Sequence, residues 1–303
     1  MRIVCLALTL LAAPLLAATF PVRAGDTGRH LVDRTGAPFF IHGDAAWSLL
    51  VALDAGGAER YLEDRRRRGY TALLVNLIEH EFAPAAPRNR NGDAPFLTPG
   101  DFAAPNVAYF RHADAILRSA EKKGILVFLF PCYFGYIGGS EGFWKELNAA
   151  GAEKAYAYGR FVGARYRDFK NIVWVHGGDY SPPEDSAGVR YALEIQRGIA
   201  EAAPGKLHTY HGRRSTTALD HTSFAPRLQL NGVYTGDELG GKNTSPAEPY
   251  TLSLRAYERP AFLPHFLIEG RYESVAASKF AGDYTSERHR LRRQHYWAVL
   301  SGA

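Results

Sequence analysis

The feature that most constrains the fold is a regular alternation of short apolar runs with amphipathic stretches. Strand then helix, repeated along a chain, is the pattern of a parallel sheet. The predicted strands are Phe39–Gly43, Ala72–Ile78, Ile125–Pro131, Ile172–Val175, Leu207–Tyr210, Leu228–Val233 and His265–Ile268. The predicted helices are Ala58–Arg68, Val107–Lys123, Ala152–Phe169, Ala187–Ala203, Tyr250–Tyr257 and Ser286–Leu300.

The connections between these elements are unequal in length. Turns from helix to strand are short and often carry a glycine at the helix end, as at Gly69, Gly124 and Gly205. Loops from strand to helix are long after the second, third and sixth strands, which is the edge where barrel enzymes build their sites. We therefore predict an α/β fold, a (β/α)8 TIM barrel. A doubly wound open sheet is the alternative, but no GxGxxG turn follows the first strand.

The chain of 303 residues, 46% of them hydrophobic, is long enough for one barrel domain. It ends with YWAVLSGA, in the helix that follows the seventh predicted strand, and an eighth strand is not found. We expect the domain to cover residues 25–303 and to be truncated before strand 8.

The first 24 residues, MRIVCLALTLLAAPLLAATFPVRA, read as a signal peptide cleaved near Ala18 or Ala24. Pro14 interrupts an apolar stretch that is already short for a membrane span, so we expect no stable membrane insertion after cleavage. The mature chain then keeps only Cys132, and no internal disulfide can form. The sequence predicts a secreted or periplasmic protein.

The net charge of +5 comes from 36 basic and 31 acidic residues spread along the chain. The densest basic cluster, Arg65–Arg68, ends a predicted helix, where cations complement the helix dipole. No basic block long enough for a nucleic-acid arm is present, so we expect no nucleic-acid partner.

Polar and aromatic residues follow nearly every predicted strand. In a barrel, all strands end on one rim, so these side chains are expected to converge on one cavity. The residues selected in this way are Asp44, Trp47, Asn76, Glu79, Tyr133, His176, Asp179, Tyr180, His211, Tyr234, Glu269 and Tyr272.

Two carboxylates of this set, Asp179 and Glu269, end the fourth and seventh strands, across the barrel mouth from one another. Cleavage of a glycosidic bond through a covalent intermediate needs one acid to protonate the leaving oxygen and one carboxylate to attack the anomeric carbon. Gly177 and Gly178 are expected to leave space for a sugar beside Asp179. The alternative is structural: Asp179 caps the next helix and Glu269 pairs with Arg271.

Five motifs together resemble one family of bacterial enzymes. They are FFIHGDAAWSLL, YLEDRRRRGYTALLVNL, NIVWVHGGDY, FLIEGRYE and YWAVLSGA, and the resemblance runs from about Arg29 to the last residue. The chain is similar to the apiosidase-like glycoside hydrolases, which belong among barrels with carboxylates on strands four and seven. The resemblance implies that Asp179 is the general acid/base and Glu269 the nucleophile. The Gly-Gly-Asp sequence departs from the Asn-Glu pair that is commoner on strand four of related barrels but fits the apiosidase-like pattern.

The other rim residues are predicted to bind substrate. Asp44 and Trp47 resemble the family's first-strand motif and suit the hydroxyls and apolar face of a sugar, although a buried structural pair is the alternative. His211 and Tyr234 are expected to hydrogen-bond the nucleophile or to line the wall. We expect no metal site at Glu79, His80 and Glu81, because neighbouring residues of a strand point to opposite sides.

These observations predict a secreted retaining glycoside hydrolase that acts on carbohydrate, without a metal or other cofactor. The resemblance suggests side chains of pectic polysaccharides as substrate and β-linked apiose as the sugar. A non-catalytic carbohydrate-binding barrel is the main alternative, and a metal-dependent hydrolase is the third.

Overall fold

The structure is a computed structural model that describes residues 18–235, 248–272 and 284–303. Most of the predicted signal peptide, residues 1–17, lies outside these ranges, as does most of the loop that follows the sixth predicted strand. None of the helices described is long and apolar enough to cross a membrane.

A small antiparallel sheet precedes the barrel and was not predicted. It consists of β1 (Arg23–Ala24), β2 (Leu31–Val32) and β3 (Pro38–Phe39), paired in that order. The predicted first barrel strand, Phe39–Gly43, is therefore wrong, because Phe39 belongs to this sheet. The first barrel strand is β4 (Gly43–Ala45). Its three residues do not form an apolar run, so the sequence pattern does not indicate a strand there.

Five parallel strands then follow in the order of the chain: β4, β5 (Ala72–Asn76), β6 (Leu126–Phe130), β7 (Ile172–Gly177) and β8 (His208–His211). A doubly wound sheet reverses its strand order at a switch point, and this sheet does not. Sequential order in one direction is the arrangement of a barrel wall.

Three further strands form a second sheet: β9 (Thr216–Thr217), β10 (Asn231–Tyr234) and β11 (His265–Glu269). Of these, β10 and β11 continue the wall. β10 and β11 are parallel, and the short β9 pairs antiparallel with β10. The backbone amides of Gln229 and Leu230 donate to the carbonyl of His208, so β10 begins beside β8. The rings of Phe128 and Phe266 stack with centroids 4.7 Å apart, so β11 meets β6 across the interior. The predicted α/β barrel is confirmed.

Seven helices are described, and they pack between or beside the strands. The predicted helix Ala152–Phe169 begins earlier, at Trp144, and is interrupted at Gly151, whose φ of 77° is left-handed. The helices are α1 (Leu49–Ala52), α2 (Ala55–Arg67), α3 (Val107–Lys122), α4 (Trp144–Tyr166), α5 (Ala187–Ala202), α6 (Glu248–Glu258) and α7 (Tyr284–Leu300).

Alternate residues of each strand face two different cores. In β6, Leu126, Phe128 and Phe130 pack in the barrel interior, whereas Val127 and Leu129 pack against the helices. Since side chains alternate along a strand, this assignment fixes which residues at each strand's end point into the cleft and which point outward.

His176 of β7 and His208 of β8 form a buried pair on the outer face of the wall. Nε2 of His176 lies 2.9 Å from Nδ1 of His208, and the ring of His176 stacks on Phe224. Burial lowers the pKa of His208 to about 4, and burial followed by the neighbouring ring lowers the pKa of His176. Both rings are therefore neutral at pH 7.

Acid is expected to destabilise the fold through this pair. The folded state keeps His208 neutral, whereas an unfolded histidine titrates near pH 6.5. The contribution of His208 to the free energy of unfolding is therefore complete above about pH 6.5, and it is lost as the pH falls toward 4. Lowering the pH from 7 to 5 should cost about 2 kcal/mol of unfolding free energy from His208. Urea unfolding at both values measures this, and His208→Asn should reduce the difference. An equal pH dependence in wild type and variant would contradict the role of His208.

Residues ahead of β1 are tied to the domain. The carboxylate of Asp33 accepts hydrogen bonds from the amide and hydroxyl of Thr19, at 3.2 and 2.8 Å. Val22 is buried at the base of the barrel interior. Cleavage of the predicted signal peptide after Ala24 would remove these contacts and β1 itself, whereas cleavage after Ala18 would keep them.

A chain that begins at Gly25 is therefore expected to be less stable than one that begins at Thr19. The loss of the buried Val22 side chain alone should cost about 1.5–3 kcal/mol. Chemical unfolding of the two purified chains measures the difference. Equal stability would show that the segment before Gly25 contributes nothing to the fold.

Candidate active site

Three side chains meet where β7, β8 and β11 end. One ligand-type atom each of Asp179, His211 and Glu269 lies within 4.8 Å of the other two, and we call these residues the carboxylate cluster. The side chain of His211 is fully buried, and only 8% of that of Glu269 is exposed. Two carboxylates thus face each other with an imidazole beside them.

His211 links the backbone of Asp179 to the carboxylate of Glu269 through hydrogen bonds at its two ring nitrogens. The backbone amide of Asp179 donates to Nδ1 of His211 at 3.1 Å, so Nδ1 carries no proton. Nε2 must then carry the proton of the neutral ring, and it donates to Oε2 of Glu269 at 2.6 Å. The second oxygen, Oε1, accepts from the hydroxyl of Tyr272 at 2.8 Å. Glu269 is held by two donors, which stabilise and orient its negative charge.

Asp179 has one oxygen occupied and one free. Oδ2 accepts a hydrogen bond from the hydroxyl of Tyr133 at 2.7 Å. Oδ1 is buried and has no hydrogen-bond partner among the described residues. A buried polar atom without a partner costs free energy, so the free oxygen is a candidate to carry a proton or to meet a ligand.

The backbone that presents Asp179 is left-handed over three successive residues. The φ angles of Gly177, Gly178 and Asp179 are 88°, 122° and 50°. A Cβ at Gly178 would lie 2.2 Å from the ring of Tyr133, and one at Gly177 would lie 2.4 Å from the carbonyl oxygen of His211. The glycines therefore make room for the protein's own groups and not, as predicted, for a sugar.

Trp47 forms part of the cleft floor. Its indole Nε1 donates to the hydroxyl of Tyr272 at 2.9 Å, which continues the hydrogen-bond chain to Glu269. Its ring lies 5.6 Å from that of Tyr133 and 6.0 Å from that of His211, measured between centroids. An indole with a bonded N–H presents an apolar surface that suits the face of a sugar ring.

The hydroxyls around the cluster remain protonated. Burial, then the charge of Asp179 and the hydrogen bond to it, raise the pKa of Tyr133 far above its usual value. Burial and then the charge of Glu269 do the same to the pKa of Tyr272. Both tyrosines are therefore protonated near neutral pH and donate hydrogen bonds to the carboxylates.

Two more of the predicted residues lie at this end of the barrel. Asn76 ends β5 and is buried, and neither polar atom of its side chain has a partner among the described residues. Tyr234 ends β10, and its ring packs on His211 with centroids 4.6 Å apart. Its hydroxyl accepts a hydrogen bond from Nε of Arg214 at 3.1 Å.

The structural alternatives for the two carboxylates do not hold. Helix α5 is capped by Ser186, whose hydroxyl accepts from the amide of Val189, so Asp179 does not cap it. Both oxygens of Glu269 are engaged by other partners, Oε2 by His211 and Oε1 by Tyr272.

Two of the predicted substrate-binding residues do not reach the cleft. The carboxylate of Asp44 accepts from the hydroxyl of Tyr61 at 2.7 Å and lies 3.1 Å from Nε of Arg65, both on α2. That prediction is wrong, because the side chain turns toward the helix layer. The prediction for His176 is wrong for the same reason, since its ring lies on the outer face against His208.

Glu79 is buried in the loop after β5, where its carboxylate accepts a hydrogen bond from the backbone amide of Ala83. Burial raises its pKa. It holds the loop, and its other oxygen, Oε2, has no hydrogen-bond partner among the described residues. Substrate binding by Glu79 stays a prediction. Tyr180 follows Asp179 in the chain, but its ring packs edge-on against Trp144 of α4, with centroids 5.3 Å apart.

The carboxylate cluster also satisfies a first test for a metal site, because its three ligand-type atoms are close together. However, Nδ1 of His211 already accepts the Asp179 amide and Nε2 donates to Glu269. A metal ion would have to replace the bond between His211 and Glu269. The surrounding tyrosine donors match a network of hydrogen bonds better than an ion.

The comparison with protein-family models decides the classification. The model described as "Apiosidase-like, catalytic domain" matches residues 25–303. The chain belongs to the apiosidase-like family. This confirms the resemblance and places the chain among the glycoside hydrolases. No curated protein matches the chain.

Solved structures show the same fold. A glycoside hydrolase of 24% identity superposes with a TM-score of 0.76, over 93% of this chain and 63% of its own length. A family 5 glycoside hydrolase from Bacteroides vulgatus gives 22% identity and a TM-score of 0.77, over 93% of this chain and 61% of its own. An endo-1,4-beta-mannanase from Rhizomucor miehei gives 12% and 0.63, over 90% and 87%. The chain thus spans about three fifths of the length of the first two.

Arg214, which the sequence analysis missed, adjoins the apiosidase-like site through Tyr234. It stands in HGRRST, directly after the strand that ends with His211, and this position on a strand-to-helix loop could have identified it.

Alanine at position 178 is expected to displace the ring of Tyr133. Gly178→Ala should lower the free energy of unfolding by about 1–3 kcal/mol more than Gly205→Ala, because overpacking adds to backbone strain. Gly205 is a matched control, since its φ is 81° and nothing lies within 4 Å of its Cβ position. Urea unfolding measures both variants.

The extra cost should fall when Tyr133 is shortened. In a Tyr133→Ala background the two glycine replacements should cost about the same. A cost of Gly178→Ala that is unchanged in this background would show that Tyr133 is not the group displaced.

Proposed function

We propose that this domain is a retaining glycoside hydrolase that cleaves by double displacement. The proposal rests on two carboxylates, that of Asp179, which follows β7, and that of Glu269, which ends β11. One oxygen of Asp179 lies within 4.8 Å of one oxygen of Glu269. Retaining enzymes hold their carboxyl groups about 5–5.5 Å apart, whereas inverting enzymes leave about 6.5–9.5 Å for a water molecule. The short distance supports attack by a carboxylate and not by water.

Glu269 is the proposed nucleophile. Its two oxygens are oriented by His211 and Tyr272, and this fixes the direction of attack on the anomeric carbon. Burial lowers the pKa of His211, but the hydrogen bond and charge of Glu269 outweigh it and raise the pKa. The Asp179 amide at Nδ1 still leaves no place for a second proton, so His211 donates as a neutral ring and the carboxylate keeps its nucleophilic character. When the glycosyl ester forms, the same donors stabilise the oxygen that is not bonded to the sugar.

Asp179 is the proposed general acid/base. Its oxygen bonded to Tyr133 is an acceptor only, so the proton for the leaving oxygen belongs on Oδ1, which has no partner among the described residues. After the leaving group departs, the same oxygen takes a proton from the water that hydrolyses the intermediate.

The family suggests β-linked apiose in side chains of pectic polysaccharides as the substrate. Trp47 at the cleft floor and the unpartnered side chain of Asn76 are the proposed sugar contacts. We also propose that the protein is exported, as the leader in its sequence predicts.

Two other functions are weighed against this one. A non-catalytic carbohydrate-binding barrel has no need of two opposed carboxylates that are each held by donors, so the cluster favours an enzyme. A metal-dependent hydrolase would use the same three residues, and it predicts loss of activity on treatment with a chelator. The proposed mechanism predicts that activity persists.

Variants of the two acids should separate their roles. Glu269→Ala should abolish turnover of 4-nitrophenyl β-apioside, and sodium azide should restore part of it with a product of inverted configuration. Asp179→Asn should reduce kcat by about 10²–10⁴-fold on apiosyl disaccharides, whose leaving groups need protonation, and by less on the nitrophenyl substrate. Initial rates and NMR of the first-formed anomer measure these effects.

Asp185→Asn is the matched control, because Asp185 is an exposed carboxylate further along the loop that carries Asp179. It should retain wild-type rates. An inverted product from the wild-type enzyme, or full activity of Glu269→Ala, would refute the proposed roles.

A further inference from the structure

The loop that carries Asp179 is held by three successive residues. The amide of Asp179 itself donates to the ring of His211. The carbonyl of the next residue, Tyr180, accepts the hydroxyl of Tyr210 at 3.2 Å. The hydroxyl of Ser181, one residue further, joins a second chain of hydrogen bonds. The last two contacts take no part in the proposed mechanism.

The second chain of hydrogen bonds runs from a backbone amide through Ser181 to His221. The amide of Arg213 donates to Oγ of Ser181 at 2.9 Å, and this oxygen lies 3.4 Å from Nε2 of His221. The hydroxyl of Thr216 lies 3.5 Å from the same nitrogen, but its proton goes to the carbonyl of Arg213, at 2.6 Å. Ser181 is therefore the group that donates to Nε2.

His221 can accept this bond because its ring is neutral. The side chain is buried, and burial lowers its pKa to about 4 despite the charge of Glu184. With Nε2 as the acceptor, the proton of the ring is on Nδ1, which lies 4.0 Å from Oε1 of Glu184. The other oxygen of Glu184 accepts the amide of Ser223 at 2.9 Å. The loop after β7 is thus tied twice to residues 221–223.

The ring of His221 has little freedom to move. Its centroid lies 4.2 Å from that of Tyr210, and a Cβ at Gly212 would lie 2.0 Å from its Nε2. Tyr210 is the residue whose hydroxyl holds the carbonyl of Tyr180. The two groups that hold the backbone after Asp179 therefore pack on each other.

Asp179 needs such support because its backbone is strained. Its φ of 50° is left-handed, and a conformation of this kind persists only where surrounding contacts hold it. Pro182 and Pro183 follow Ser181 and restrict the backbone angles of the loop beyond it. Little freedom is left between the acid and the prolines, so a shift of Ser181 also moves the carboxyl group of Asp179.

We propose that His221 is a positioning residue for Asp179: by holding Ser181 it fixes the backbone of the acid and directs the free oxygen Oδ1 at the leaving oxygen. The inference rests on the proposed function and adds to it a residue that acts through Ser181 and touches no substrate. Loss of the acceptor should let the turn relax and misplace the acid, while Glu269 keeps both of its donors.

The test uses two replacements of similar size, of which only one can accept a hydrogen bond. His221→Leu removes the acceptor, whereas the side-chain oxygen in His221→Gln can take the place of Nε2. On apiosyl disaccharides, whose leaving groups need protonation, His221→Leu should lower kcat/KM by at least about tenfold. On 4-nitrophenyl β-apioside it should change kcat/KM by less than about twofold, since nitrophenolate leaves without a proton. His221→Gln should recover most of the loss on the disaccharides.

A second signature distinguishes a misplaced acid from a general loss of structure. Asp179 also takes a proton from the water that hydrolyses the glycosyl ester, so kcat and KM for the nitrophenyl substrate should fall together in His221→Leu. A destabilised site would instead lower kcat/KM on both substrates alike. Initial rates over a range of substrate concentrations measure both constants.

Ser181→Ala removes the donor of the same hydrogen bond and provides the test if His221→Leu does not fold. It should show the same selective loss on the disaccharides, and the double variant should lose no more than the larger single loss. Thr222→Ala is the control, since Thr222 is the exposed neighbour of His221, and it should keep the wild-type rates. Equal losses on the two substrates, or wild-type rates in His221→Leu or Ser181→Ala, would overturn the inference while leaving the hydrolase activity established.

Crystal structures of the wild-type protein, His221→Leu and His221→Gln decide the case in which neither substrate is cleaved, a result that would count against the proposed sugar. Movement of residues 179–181 in His221→Leu but not in His221→Gln would support the positioning of Asp179 by His221. An unchanged turn in His221→Leu would overturn it.

Discussion

The hydrogen bonds of His211 are the constraint on which the rest of the site depends. One ring nitrogen accepts the amide of Asp179 and the other donates to Glu269, so a single imidazole joins the ends of β7, β8 and β11. Both bonds form only in the neutral ring with its proton on Nε2. The tautomer of His211 therefore fixes the orientation of the Glu269 carboxylate and the backbone position of Asp179 together.

The barrel makes this arrangement possible through the alternation of its strands. His208 and His211 belong to the same strand, yet one stacks in the outer layer and the other faces the cleft. The outer pair contributes to stability and the inner histidine to the site. The strand wall thus separates the His176–His208 pair from His211, and neither affects the protonation of the other.

Much of the fold could be predicted from the sequence, because six of the seven barrel strands that the structure describes overlap the strands predicted from it. β4 could not, since Gly43–Ala45 is too short and too polar to differ from a loop. The site was predicted in part. Asp179, Glu269, His211, Tyr133 and Tyr272 meet as expected, but Asp44 and His176 face outward. The sequence shows that a residue ends a strand, whereas its direction depends on the register that only packing decides.

The left-handed backbone at position 179 explains why the residue there is an aspartate. Among residues with a side chain, aspartate and asparagine tolerate positive φ best, because a short polar chain can bond locally. A glutamate at this position would meet a conformational penalty that aspartate largely avoids. The residue type at position 179 and the left-handed backbone of residues 177–179 therefore depend on each other. A protein with glutamate at this position would need a different backbone conformation in the turn.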